Sequence, residues 1–208
     1  MPRVDASTES PRSPKWEARR QAIIDTSARL FARQGYHATG ITELCAANDL
    51  GKGALYHYIG SKEEILAAIH DRVMDEVMAG AERVSEASGS PSAQLAKLGE
   101  ELLDVINRYP DHVWVFLHEF HALTGENTDQ FRGRRREYER LVESILRAGV
   151  KSGDFRDIDP WLTARAWLGM HNYTYLWLQA GGRVSAGDVA KPFHEIFVRG
   201  IEKPKRTR

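Results

Sequence analysis

Residues 39–64 read Thr-Gly-Ile-Thr-Glu-Leu-Cys-Ala-Ala-Asn-Asp-Leu-Gly-Lys-Gly-Ala-Leu-Tyr-His-Tyr-Ile-Gly-Ser-Lys-Glu-Glu. Ile41, Leu44 and Cys45 fall on one face of a short helix over 41–48. Asp49 then sits in a tight turn, where aspartate is one of the few residues that tolerate a left-handed backbone. Lys52 to Ile59 gives a second short helix with Leu55 and Tyr58 or Ile59 inward. Ser61 and Glu64 have the spacing of a capping box and open a long helix. Its apolar face is Ile65, Leu66, Ile69, Val73, Val77 and Ala81. Upstream, a helix from Pro14 or Lys15 carries Ile23, Ile24, Ser27, Leu30 and Phe31 on one face, and Gly35 stops it.

Three helices, the last two short and joined by a four-residue turn, have the geometry of a helix-turn-helix. Such a unit lays its second short helix in the major groove of DNA. The wording of the stretch resembles the DNA-binding motif of the tetracycline-repressor (TetR) family over about residues 18–66. The resemblance is carried above all by Gly53-x-Leu55-Tyr56-His57-Tyr58 and Ser61-Lys62-Glu63-Glu64. It implies a one-component transcriptional regulator, most often a repressor, with Tyr56 and Lys62 on DNA phosphates. The residues' own chemistry agrees. Lys52 can reach a phosphate or a guanine edge, and Gly53 lets the backbone approach DNA. Tyr56 and His57 point outward when Leu55 points in. Thr39 and Thr42 stand where the free N–H groups of a helix start favour anions. The bland alternative is that Tyr56 and His57 only solvate a surface. Four positions depart from the family wording: Gly40 replaces a Thr or Ser, Asn48-Asp49 replace Ala-Gly, Gly51 replaces Ser, and Ile59 replaces Phe.

Working outward, the 208 residues are 42% hydrophobic and 28% charged, ordinary values for a globular chain. No apolar run reaches the ~18–20 residues of a membrane span. Met1 to Pro14 holds charges and prolines, so no secretory signal is expected there. The single cysteine, Cys45, allows no internal disulfide and fits the cytoplasm. The formal net charge is zero, from 29 basic and 29 acidic residues. Nine basic and six acidic groups fall in residues 1–62, which leaves that part at +3 and the remainder at −3.

The remaining pattern is helical throughout. Ser90-Pro91 and Asp159-Pro160 each read as a cap followed by a first-turn proline. One helix runs to Tyr109, where Pro110 interrupts, and another covers about 111–123. Gly125 to Asp129 reads as a loop, followed by a long helix ending near Gly153. An aromatic-rich helix extends from Pro160 to about Leu178, and a last one, capped by Ser185, ends near Arg199. The expectation is an all-α fold of about nine helices. It divides into a disordered arm (1–13), a DNA-binding unit (14–62), an effector-binding and dimerisation body (63–200) and a flexible basic tail (201–208).

For the body, the resemblance implies a ligand pocket and a dimer interface. Trp114, Leu117, Phe120, His121, Tyr138, Trp167, His171 and Tyr175 are the pocket candidates, since pockets are mostly apolar and aromatic with a few polar groups. Aromatic stripes at helical spacing are equally the signature of plain core. Ala164, Leu168, Phe193, Ile196 and Phe197 are the candidates for a homodimer seam. A pseudo-palindromic operator, with half-sites about 34–36 Å apart, also asks for a two-fold dimer. Arg132, Arg134, Arg135 and Arg136 either solvate a helix face beside Glu137 and Glu139 or, with Arg165, meet an anionic effector such as a coenzyme A phosphate. The Trp177-Leu178-x-x-Gly181-Gly182 run is similar to actinobacterial regulators of fatty-acid or steroid breakdown. That similarity implies an acyl-CoA-type or apolar, aromatic effector. His118 and His121 share a helix face at i and i+3 but have no evident third ligand, so no metal is expected. No cofactor is implied. An enzyme would need a nucleophile–base pair or a complete metal site, and neither is evident. A helical scaffold without DNA binding is the third reading.

Overall fold

The computed structural model describes residues 13–203. The N-terminal arm, apart from Ser13, and residues 204–208 of the tail lie outside the described residues. Among the described residues the fold is nine α-helices without a strand: α1 (Pro14–Gln34), α2 (Ile41–Ala47), α3 (Lys52–Ile59), α4 (Lys62–Glu86), α5 (Pro91–Arg108), α6 (Pro110–His118), α7 (Gly125–Ser152), α8 (Pro160–Asn172) and α9 (Ala186–Ile201). Side chains cap the helices where the pattern placed them, and Ser13 adds a cap to α1 that the pattern did not mark. Ser13 accepts from Trp16 N–H, Ser61 from Glu64 N–H, Ser90 from Ala93 N–H and Asp159 from Trp161 N–H. The Ser61 capping box is only half formed, because Ser61 N–H donates to the Ile59 carbonyl instead. The Glu64 carboxylate occupies the place a Cβ on Gly60 would take, and Gly60 has φ 67.

Two apolar cores share helices. The lower one joins Ile23, Ile24 and Phe31 of α1, Leu44 of α2, Leu55 and Ile59 of α3, and Ile65, Leu66 and Ile69 of α4. The upper one joins Val73, Met74 and Val77 of α4 to α5, Val142 and Leu146 of α7, and Trp167 of α8. Helix α4 runs through both. So does α6, which places Val113 in the upper core and Val115 in the lower.

Four expectations are corrected. The helix after Pro110 ends at His118, not near 123. A 3-10 turn, Phe120–Ala122, follows and drops Leu123 into the lower core. Gly125 to Asp129 is the first turn of α7, not a loop. Its start is capped from another helix: Glu63 of α4 accepts the Thr124 N–H (3.1 Å) and hydroxyl (2.7 Å), a contact invisible to local pattern. Helix α8 stops at Asn172, where Thr174 turns inward and donates to the His171 carbonyl at 2.7 Å. Finally, residues 201–203 are held. Ile201 is buried and Lys203 N–H donates to the Asp154 carbonyl.

Gly149 of α7 lies under the Phe155 ring, whose nearest atom would be 2.1 Å from a Cβ there. Gly149→Ala is therefore expected to overpack this contact, costing about 1–3 kcal/mol. A lowered thermal midpoint in a circular-dichroism melt checks it.

Candidate DNA-reading face and effector cavity

Helix α3 is held by Leu55 and Ile59 in the lower core, which fixes which residues face outward. Lys52, Gly53, Tyr56 and His57 are all exposed, together with Thr42 of α2. A Cβ on Gly53 would meet nothing within 4 Å, so the fold itself does not require glycine there. Thr39 is placed differently. It is 1% exposed, and its hydroxyl donates to the Gly35 carbonyl at 2.8 Å. Its side chain closes the α1–α2 turn and is not offered to a phosphate. Lys62 is half-buried, with its ammonium 4.2 Å above the Tyr36 ring. Burial lowers the Lys62 pKa from its ordinary value, against the pull of Glu119 and Glu43. The Tyr36 hydroxyl is raised, by burial first and then by Glu63 and Glu119.

The departures from the family wording have local answers. Gly40 offers no side-chain cap, but its N–H donates to Glu43 Oε2 at 2.8 Å. That hydrogen bond is the main cause holding the Glu43 carboxyl below its usual value. Asn48 is buried; its amide donates to the Leu44 carbonyl, and its own carbonyl accepts from Arg19 at 2.8 Å. Asp49 takes φ 52, the left-handed turn position.

In the body, a cavity of about 210 Å³ opens between α4, α5, α6, α7 and α8. Val73, Met74, Leu102, Val105, Ile106 and Phe116 make its apolar wall. Of the eight pocket candidates only Leu117 and Tyr138 line it. Trp114 and Tyr175 line a shallower groove of about 220 Å³ on the other side of α6, with Arg29 and Arg33 of α1. Phe120 stacks on Phe131 in the lower core, and His121 is exposed. Trp167 and His171 are buried against Gly99 of α5. The His171 Nδ1–H donates to the Trp167 carbonyl at 2.8 Å, and burial pushes the ring's pKa down to about 4. Met74, Val77, Leu102 and Val105 were missed because they sit on ordinary core faces, and nothing local marks a core residue as cavity wall.

Polar groups gather at one end of the cavity. Glu139 pairs with Arg135 at 3.3 Å and with Arg165 at 3.5 Å. The Arg165 guanidinium lies 3.7 Å over the Trp161 ring. All three charged groups line the cavity, with Asn172. Tyr138 is 6% exposed, and its hydroxyl has no hydrogen-bond partner among the described residues. Burial raises its pKa, so the phenol stays protonated and can donate.

The seam candidates also separate. Leu168 lines the cavity, Ala164 is buried inside the body, and Phe193 and Phe197 pack partly against the upper core. Only Ile196 is fully on the surface, at 68% exposure. Trp161 and Leu162 at the start of α8, and Tyr173, Leu176 and Trp177 just past its end, are exposed as well. His118 is engaged twice, at the Trp114 carbonyl (2.8 Å) and the Tyr175 hydroxyl (3.1 Å). Among the described residues no group of three His, Cys, Asp or Glu side chains could hold a metal. No helix there is long and apolar enough to cross a membrane.

Comparison with known proteins places both halves. A family model described as bacterial regulatory proteins, tetR family, matches residues 23–69. One described as tetracyclin repressor-like, C-terminal domain, matches residues 88–201. The HTH-type transcriptional repressor KstR2 of Rhodococcus jostii is 31% identical over 194 residues, covering 89% of this chain and 92% of that one. The TetR family regulator PfmR from Thermus thermophilus superposes with TM-score 0.80 at 33% identity, over 87% of this chain and 99% of that one. AibR, solved with isovaleryl coenzyme A and operator DNA, superposes with TM-score 0.77 at 30% identity, over 86% and 97%.

The placement of the two threonines gives a direct check. Thr39→Val is expected to remove a buried hydrogen bond and cost about 1 kcal/mol of stability. Thr42→Ala should leave the denaturant midpoint unchanged. Equal midpoints for the two variants would contradict the inward placement of Thr39.

Proposed function

The chain belongs to the tetR family of bacterial regulatory proteins and is a DNA-binding transcriptional regulator, and we propose that it is a repressor released from a palindromic operator when the acyl end of a coenzyme A thioester enters the cavity of its body. The family is one of regulators, so the enzyme reading falls. In this reading Lys52, Gly53, Tyr56 and His57 meet the major groove, and Thr42 and Lys62 meet flanking phosphates. Two copies pair through α8 and α9, where Trp161, Leu162, Tyr173, Trp177 and Ile196 are exposed. That pairing sets two α3 helices about one DNA turn apart. Such a protein works in the cytoplasm, where operator DNA is.

The observation that carries the ligand class is the cavity itself. At about 210 Å³ it is smaller than the ~300–1,000 Å³ of a site that swallows a drug-sized molecule. It suits an apolar fragment whose remainder stays outside. The polar end supplies what a thioester needs. The Tyr138 hydroxyl is a buried donor without a partner, and a small turn of its side chain into the cavity would let it meet a carbonyl oxygen. Two arginines share one carboxylate at Glu139, which leaves a net positive charge for phosphates. The likeness to AibR, solved with isovaleryl coenzyme A, supports the same class. The resemblance to KstR2 favours a ring-bearing acyl group as the alternative apolar end.

Release follows from shared helices. Val113, Phe116 and Leu117 of α6 and Val73, Met74 and Val77 of α4 face the cavity, while the same helices pack into the lower core. A ligand that favours a shifted α4 and α6 moves the reading unit with them, and a coupling of about 1–3 kcal/mol is the usual size.

Two outcomes test this reading. The Tyr56→Ala/Lys62→Ala double variant is expected to keep its fold and oligomeric state but to lose operator-specific binding in a gel-shift series; unchanged affinity would sink the DNA face. Isovaleryl-CoA and longer acyl-CoA esters are expected to raise the melting temperature of the wild type, since a hundredfold excess over Kd adds about 2.7 kcal/mol of stability. Arg165→Met should blunt that shift, and coenzyme A alone should give little. The absence of any shift across the ester series would remove the thioester while leaving the family standing.

A further inference from the structure

The turn after α6 reaches back to the DNA-reading unit. Glu119, on which α6 ends, accepts the Tyr36 N–H at 3.0 Å, across 83 residues of sequence. Its carboxylate lies against the α1–α2 turn: a Cβ on Gly35 would stand 3.5 Å from Glu119 Oε1. The Tyr36 ring in turn carries the Lys62 ammonium at 4.2 Å. One residue of the reader is thus held through its backbone by a carboxylate of the body and holds, on its ring, a cation at the start of α4. Leu117, two residues before Glu119, is part of the cavity wall.

We infer that Glu119 is the positioning residue through which the body sets operator affinity, acting on Tyr36 and through it on Lys62. Two opposed effects follow from one side chain. The hydrogen bond fixes the α1–α2 turn, the same turn that Thr39 closes and from which α2 starts. The negative charge competes with DNA phosphate for Lys62. A part-exposed charge interaction of this kind is worth up to about 1 kcal/mol, or roughly fivefold in affinity. A displacement of α6 is felt at Tyr36 as well as in the lower core that Val115 joins, whatever fills the cavity.

The two effects separate by substitution. Glu119→Gln keeps the acceptor and removes the charge. It is expected to bind operator about two- to fivefold more tightly than wild type at low salt, with the advantage shrinking as salt rises. In a Lys62→Ala background, followed at low salt where the weakened binding is measurable, the same change should give no gain. Glu119→Ala removes both functions, and the Tyr36 amide is expected to exchange hydrogen faster by NMR, while Glu119→Gln keeps it protected. A Glu119→Gln protein no tighter than wild type would overturn the inference. So would an equal gain without Lys62, or a Tyr36 amide equally protected in Glu119→Ala.

Discussion

Helix α4 cannot shift in one core without shifting in the other. Ile65, Leu66 and Ile69 anchor its first turns among α1, α2 and α3, and Val73, Met74 and Val77 face the cavity four to twelve residues later on the same rigid rod. Each fully buried aliphatic side chain is worth about 1.5–3 kcal/mol. Three anchors therefore exceed the ~1–3 kcal/mol of an ordinary allosteric coupling. The reader follows the rod instead of slipping along it. Helix α6 repeats the constraint with Val113 above and Val115 below. The two-core construction makes a single apolar cavity able to govern a surface that never touches its ligand.

The charge distribution suits the same division of labour. A chain with zero net charge has no bulk attraction for DNA, and the remainder beyond residue 62 carries −3. In the proposed reading, binding rests on a few placed groups, Lys52, Tyr56 and Lys62 among them, and on presenting them twice in a dimer. Lys62 shows how tightly these groups are placed: it is half-buried over Tyr36 and within the field of Glu119 and Glu43. The acidic body keeps the rest of the surface away from phosphate.

Much of this was legible in the sequence, for identifiable reasons. Caps are local, so Ser61, Ser90, Asp159 and Ser185 could be placed from spacing alone. The reader was legible because its short helices leave few ways to bury Leu44, Leu55 and Ile59. What escaped depends on partners far along the chain. Glu63 caps α7 across about sixty residues, so Gly125 to Asp129 read as a loop. Thr39 looked like a phosphate ligand because its bond to Gly35 depends on the turn geometry. The cavity was read from aromatic content, yet Trp167 and His171 are spent on packing beside Gly99, and aliphatic residues do most of the lining. Aromatic rings advertise themselves in a sequence, whereas a missing volume between helices does not.

In this proposal the cavity and the DNA face are two sites on one pair of helices. Linkage makes this measurable from the ligand side. Isothermal titration of an acyl-CoA ester found by the melting screen, into the protein alone and into the protein saturated with operator, gives two dissociation constants. Binding to the operator complex is expected to be weaker, by the same factor by which the ester weakens operator binding. Equal constants in the two titrations would mean that the cavity does not speak to the reader, and would contradict the proposal.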